Sequence, residues 1–572
     1  MSIGRNVLAA AFVTAATSIT LSNIVHAQAV PTDPAAGNCQ ISPGGVASMF
    51  ESGTVTLNGV VKPANSTVAL APNCGFFSWT EQMFLWLTSP APSRYGGGSR
   101  IMFSPAFFTV SPEDSTGRRT FIRNQANGIL RMGLRMTELG PHNLPALVSR
   151  SGQVIEVQKP DPKRPVPAVV RLQDGRSVRL GDVRVAPGNR LQFFDTTGKQ
   201  VQVKRLAPPP TPRIMVRMTD GTRVPIISRA QLLKPIQARK LVFRGIPIFI
   251  DPANNVIDVE PGQADGGVLL SQNGSLIFYI SVVNDVYAYH RTMQPNVIPS
   301  PTNITFPLTA ADGNAVVAFA ASHGFTIVDP EALAIEAKSS WVEASSVANP
   351  DEYVQATATI PTFDKSNPQE WVPNGQKTVK MVLVGIHVVG STFGHGEMVW
   401  GTFEHLGNTP NASYSYNSTT GPKSVPQTTS GTWLFTPNGS AGPFNQMNAS
   451  WNTSNGHLVT TSVGTPIQPT PILRMMPWGT NGTNSSLNTQ VIGSNASVIS
   501  QLLGGDVRRN YFQLGTTWTI GGAAPNGANE VGTNLLANST LETFAQGTNC
   551  FACHQTNKVT VSHLYREAKP LF

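Results

Sequence analysis

Near the end of the 572-residue chain, Cys550-Phe551-Ala552-Cys553-His554 sets two thiols three residues apart and follows them at once with an imidazole. Thiols at that spacing can add to the two vinyl groups on adjacent pyrroles of one porphyrin, and the following His is then delivered to the iron. With 4 Cys and 10 His in the whole chain, a chance Cys-x-x-Cys-His is expected in roughly one such chain in two thousand. A thioredoxin-type dithiol should instead open a helix after a strand. Half a zinc site would need a second ligand pair at fitting distance, and Cys39 and Cys74 lie far upstream. The motif therefore predicts one covalent haem c, bound through Cys550 and Cys553, with His554 as the proximal ligand of its iron.

The opposite face of that iron has several candidate ligands. His563 follows His554 by nine residues, and an extended tether of that length reaches roughly 30 Å, enough to pass round a porphyrin edge. Met475 and Met476, beside Arg474 and Trp478, offer thioethers, Lys338 or another His offers nitrogen, and a vacant or water-bound position completes the set. A second metal is suggested by His387, His395, Glu397 and His405. On one straight strand, however, His395 and Glu397 share a face about 7 Å apart while His405 lies about 33 Å further along, unless the chain bends at Gly401. Hydrogen-bonded core or haem-pocket roles are the default for these four.

Residues 1–27 read as a secretory signal: Arg5 with no acidic residue, an apolar run from Val7 to Ile24, and a small-residue cleavage site ending at Ala27. Export would place the protein in the periplasm or outside the cell, where disulfides persist and haem can be attached. Cys39 and Cys74 are then expected to form a disulfide that pins an extended N-terminal arm, with two free thiols as the alternative. After the first 30 residues no stretch stays apolar for the roughly 20 residues a bilayer span needs, so no transmembrane segment is expected.

The net charge of +9 is unevenly placed, because residues 150–244 hold 20 Lys and Arg against 6 Asp and Glu. Within that segment Val169–Leu180 and Met215–Ile226 repeat short alternating runs around Asp-Gly, which predicts two β-hairpins. Pro-rich spacers at 159–167 and 207–212 bracket them. Residues 148–240 thus read as an inserted basic β-hairpin module. Export and the shortage of aromatics among its charges argue against nucleic acid. An anionic envelope surface or an acidic protein fits better.

Elements must hold the motif in place. Phe76, Trp79, Met83 and Trp86 recur at three- and four-residue spacing, which predicts a buried helix over 73–89. Runs rich in Ile and Val within 246–280, at 378–389 and at 398–403 predict strands, and residues 408–540, dense in Asn, Ser, Thr and Gly, predict long loops between short strands. A last helix is expected near 535–549, leading into the cysteine pair. The fold class is α+β, predominantly β, with long irregular loops and a few short helices, the haem-bearing C-terminal segment docking on the β-rich body. The expected divisions are the signal (1–27), the N-terminal part of the body (28–147), the basic module (148–240), the β-rich main body (241–530) and the C-terminal haem segment (531–572).

The run Leu535–His554 followed by Val561–Tyr565 resembles a family of large exported monohaem c-type cytochromes of poorly defined function. Lys338–Trp341, His395–His405 and Asn510–Trp518 resemble the same family, while the basic module departs from its pattern. The resemblance implies the cofactor and no substrate. Small carrier cytochromes place the motif early with a downstream Met ligand, but 18 residues follow His554 here and none is Met. The expected function is periplasmic electron transfer, or the redox component of an oxidoreductase, exchanging electrons with a partner protein or a small-molecule donor or acceptor. The alternatives are a haem peroxidase or oxygenase with an open distal site, lacking a visible distal Arg and His pair, and a binding protein with a structural haem.

Overall fold

The computed structural model describes residues 30–65, 74–134, 146–148, 154–158, 169–204, 214–217, 223–226, 236–257, 267–294, 306–554 and 562–572, less short gaps at 113, 115–117, 127, 187–189, 244–245, 453–454, 462–463, 481, 526–528, 545 and 547–549. The expected signal segment and both Pro-rich spacers lie outside the described residues. Strand predominates over helix, giving the expected α+β, mainly β class.

Side chains alternate across a strand, and this chain uses the alternation to build a two-faced sheet. Its central path runs Glu370–Thr392, Ile335–Glu343, Phe278–Asn284, Phe107–Val110, Phe121–Arg123. On the other edge of Glu370–Thr392 follow His395–His405, Tyr511–Thr519 and Glu530–Gly532. All these neighbours are antiparallel. One row of directly opposed residues crosses the sheet: Phe108, Val283, Glu336, Val389, Trp400, Thr517. Opposed residues in antiparallel strands share a face, so the row defines one side of the sheet.

That side packs against helices Asp285–Met293 and Ala310–Ser322 and against the C-terminal segment, with Phe108, Val283, Val389, Trp400, Tyr287, Val316, Phe551 and Tyr565 in one apolar cluster. The other side takes the helix Cys74–Thr88, which matches the expected 73–89 and buries Phe76, Trp79, Met83 and Trp86. Gly401 permits the close approach, since a Cβ there would stand 2.1 Å from Thr80 Cγ2. The strand runs on past it to His405, so no bend folds the two ends together.

Two expectations about helices fail. Residues 535–544 form turns, because side chains compete with the helical ladder: Asn538 Oδ1 accepts from Thr540 N, and Glu404 takes both the Ser539 N–H and its hydroxyl. The helix beside the motif is only Cys550–Cys553. Conversely, Ser485–Gln501 is a helix inside the stretch expected to be loops and short strands. It buries Leu487, Val491, Ile492 and Val498, and with them the polar Asn488, Thr489, Gln490, Ser494 and Asn495, with Asn495 Nδ2 donating to Gln513 O at 2.8 Å.

The basic residues form sheets of their own, and one of their strands, Arg223–Ile226, packs against Glu530–Gly532 of the large sheet. Strands Ala146–Val148, Val154–Gln158, Ile236–Phe243, Ile246–Ile250 and Val256–Ile257 make one sheet, and Leu180–Ala186, Arg190–Asp195 and Gln200–Val201 another. Val170–Arg171 pairs with Ser177–Val178, and Ile214–Arg217 pairs with Arg223–Ile226, at the two Asp-Gly repeats. Val170, Leu172, Val183, Phe193, Ile248 and Ile250 share an apolar cluster, so this unit draws on residues beyond 240.

Cys39 and Cys74 are joined by a disulfide, which ties the N-terminal arm to the first residue of the Cys74–Thr88 helix. The bond closes a loop of sequence separation 35. Replacing both by Ser should cost about 3–4 kcal/mol by loop-closure entropy. A guanidinium unfolding curve checks this, and a loss below about 1 kcal/mol would contradict it.

Candidate functional site: the C-terminal motif on the sheet face

Cys550–Cys553 forms a single helical turn, and His554 N donates to Cys550 O at 3.0 Å, carrying the imidazole at its end. Phe551 anchors the turn: it is fully buried, with its ring edge-on to Trp400 at 6.1 Å. The half-buried His554 ring sits 4.3 Å from the same indole. Thus Trp400, in the opposed row of the sheet, is the platform on which the motif rests.

After the motif, the chain is pinned again at Ser562. This residue caps the helix His563–Glu567, its Oγ accepting from Tyr565 N. The same hydroxyl donates to Glu336 Oε2 at 2.6 Å and lies 2.7 Å from Tyr287 Oη. Glu336 belongs to the row that carries Trp400, and burial pushes its carboxyl pKa up. Tyr565 is buried against Tyr287 and Phe306, and its hydroxyl meets His290 Nδ1 at 3.1 Å. Burial drops the His290 imidazole to about 4, so it is neutral in this apolar setting. Further on, Glu567 pairs with Arg119 at 2.5 Å.

With both ends pinned, the His554 and His563 rings stack, 4.4 Å apart and 18° from parallel. They meet face to face. For His563 to become a second ligand of an iron held by His554, this stack would have to open.

The other sequence candidates are dispersed. His387 Nε2 lies 3.0 Å from the Glu542 carboxylate. His395 Nδ1 lies 2.8 Å from Glu397 Oε1, which also accepts from Thr519 Oγ1 at 2.8 Å. His405 stacks on Tyr353 at 3.7 Å and accepts from Gly407 N. Each has its own partners, and among the described residues no three His, Cys, Asp or Glu side chains are grouped to hold a metal. Lys338 and His387 are directly opposed and lie two residues along their strands from Glu336 and Val389, on the same sheet face. Met475 is 40% exposed, its N–H on Gln546 Oε1 at 2.8 Å.

Sequence reasoning passed over Met398 and Trp400. Met398 is fully buried in the apolar cluster that includes Trp400, Phe551 and the half-buried Cys550, and its φ is +77°, a conformation rare outside glycine. A strained residue beside a candidate site points to function. The only available signal was the alternation that puts Met398 and Trp400 two apart on a strand.

A haem fits the residues present. The donor set is Cys550, Cys553 and His554 in order on one turn, and beside it the Trp400 indole Nε1, 7% exposed as a residue, has no hydrogen-bond partner among the described residues. A buried donor left unmade costs free energy, and a haem carboxylate or water would satisfy it. No family model, curated protein or solved structure matches this chain.

Proposed function

We propose that this protein is an exported c-type cytochrome, with one haem covalently held by Cys550 and Cys553 and ligated by His554, acting in electron transfer in the periplasm or outside the cell. The observation that carries the reading is the motif turn seated through Phe551 and His554 on the buried Trp400 indole, whose Nε1 has no hydrogen-bond partner among the described residues. When bound, the haem supplies a one-electron ferric and ferrous couple. The chain's own residues do the rest. Phe551 and Tyr565 exclude water, Ser562 on Glu336 holds the downstream strap, and Trp400 supports the proximal imidazole. The Cys39–Cys74 disulfide is consistent with an oxidising compartment. Among the described residues no helix is long and apolar enough to cross a membrane. The basic unit offers attachment to an anionic surface or an acidic redox partner, screened by salt.

The face-to-face stacking of His554 and His563 favours a second reading, a haem catalyst whose distal position is open. The spin state separates the two. If His563 is the sixth ligand, the ferric wild type is low spin, and His563→Ala becomes high spin and binds azide or cyanide. A wild type already high spin and open to those ligands identifies the catalyst. In either case His554→Ala should lose the proximal ligand, and unchanged ferric and ferrous spectra in that variant would refute the assignment.

A further inference from the structure

Arg291 stands in the last turn of the helix Asp285–Met293, and the whole residue is 0% exposed. Its Nε donates to Tyr565 O at 2.8 Å and its Nη1 to Gln294 O at 2.8 Å. Its Nη2 is buried and has no partner among the described residues. Both acceptors are backbone carbonyls, so among the described residues no carboxylate pairs with the guanidinium. The charge it feels from Arg118 is of like sign, and burial pushes its pKa down. The undescribed stretches 295–305 and 555–561, which follow its helix and the motif, contain no Asp or Glu.

A guanidinium stays charged, and a buried charge without a counter-ion is strongly unfavourable. Among the described residues the site therefore lacks an anion. It lies on the same side of the sheet as the motif: the guanidinium carbon is 5.6 Å from the centroid of the Tyr565 ring, which shares one apolar cluster with Phe551 and Trp400. A haem carries two carboxylates on its periphery, and the planar guanidinium fork matches a carboxylate.

We propose that Arg291 is a binding residue for a haem propionate, its free Nη2 donating to a carboxylate oxygen. The proposal rests on the covalent-haem reading and extends it to the carboxylates of the cofactor.

The test uses holoprotein produced with haem-attachment machinery, as wild type, Arg291→Leu and Arg291→Lys. In-gel haem staining reads attachment, and a spectroelectrochemical titration reads the midpoint potential. Loss of the positive charge leaves the propionate unneutralised and stabilises ferric iron, so Arg291→Leu should keep its stain and lower its potential, with Lys restoring most of the shift. A stained Arg291→Leu protein with the wild-type potential overturns the proposal. If the Leu variant does not accumulate, the propionate bending band in the resonance Raman spectrum of Arg291→Lys decides: a shift from wild type supports the contact, and an unchanged band overturns it. Added acetate should not move the wild-type potential. If acetate shifts wild type and not Arg291→Leu, the site takes a free carboxylate and the propionate assignment fails. Absence of stain in the wild type would refute the haem reading itself, a separate result.

Discussion

Changing Cys550 and Cys553 together to Ala removes every thioether, and the expected result is a chain that keeps no haem through denaturing electrophoresis. Each single change leaves one thiol, so a partial, weaker stain is expected there. The fold itself should largely survive, because the anchors of the motif are apolar and polar contacts that need no haem: Phe551 on Trp400, Ser562 on Glu336, Tyr565 among Tyr287 and Phe306. Haem persisting in the denatured double variant would sink the thioether assignment.

A second large effect is expected far from the motif in sequence. Arg474 is 2% exposed and Glu404 0%, and the guanidinium reaches one carboxylate oxygen through both Nε, at 2.9 Å, and Nη2, at 2.7 Å. The same carboxylate receives Ser539, so one buried ion ties the strand His395–His405 to the chain leading to Cys550. Removing one member leaves an uncompensated buried charge. Arg474→Met should therefore cost about 3–5 kcal/mol. Adding Glu404→Gln removes the orphaned charge and should recover part of that loss, which a double-mutant cycle in urea measures. Strict additivity of the two changes would show that the pair does not act as a unit.

Much of this arrangement was legible where burial imposes a period. Phe76, Trp79, Met83 and Trp86 announce their helix by three- and four-residue spacing, although Phe77, Phe84, Leu85 and Leu87 bury its other sides too, and the Asp-Gly repeats announce hairpins because that dipeptide suits the turn. The helix Ser485–Gln501 was not legible, since its buried Leu487, Val491 and Val498 are interspersed with Asn, Ser and Thr that read as loop, and Asn488 and Asn495 are held by hydrogen bonds inside the fold. Residues 535–544 misled in the other direction, for Leu536 and Leu541 suggest helix while Asn538 and Ser539 bond elsewhere. The Cys550–His554 spacing stands in the sequence alone, and it is the spacing that thioether attachment of a haem would need. The setting of the motif does not stand there. Glu336, Trp400 and Arg291 are far from the motif in sequence, and only strand register and the packing of Asp285–Met293 bring them to the same sheet face.

The most direct measurement is the intact mass of the exported wild-type chain under denaturing conditions, with a pyridine haemochrome spectrum of the same sample. The account predicts one haem's mass above that of the processed polypeptide and an α band characteristic of two thioether bonds. A bare polypeptide mass, from a host that loads a control c-type cytochrome in parallel, would contradict it.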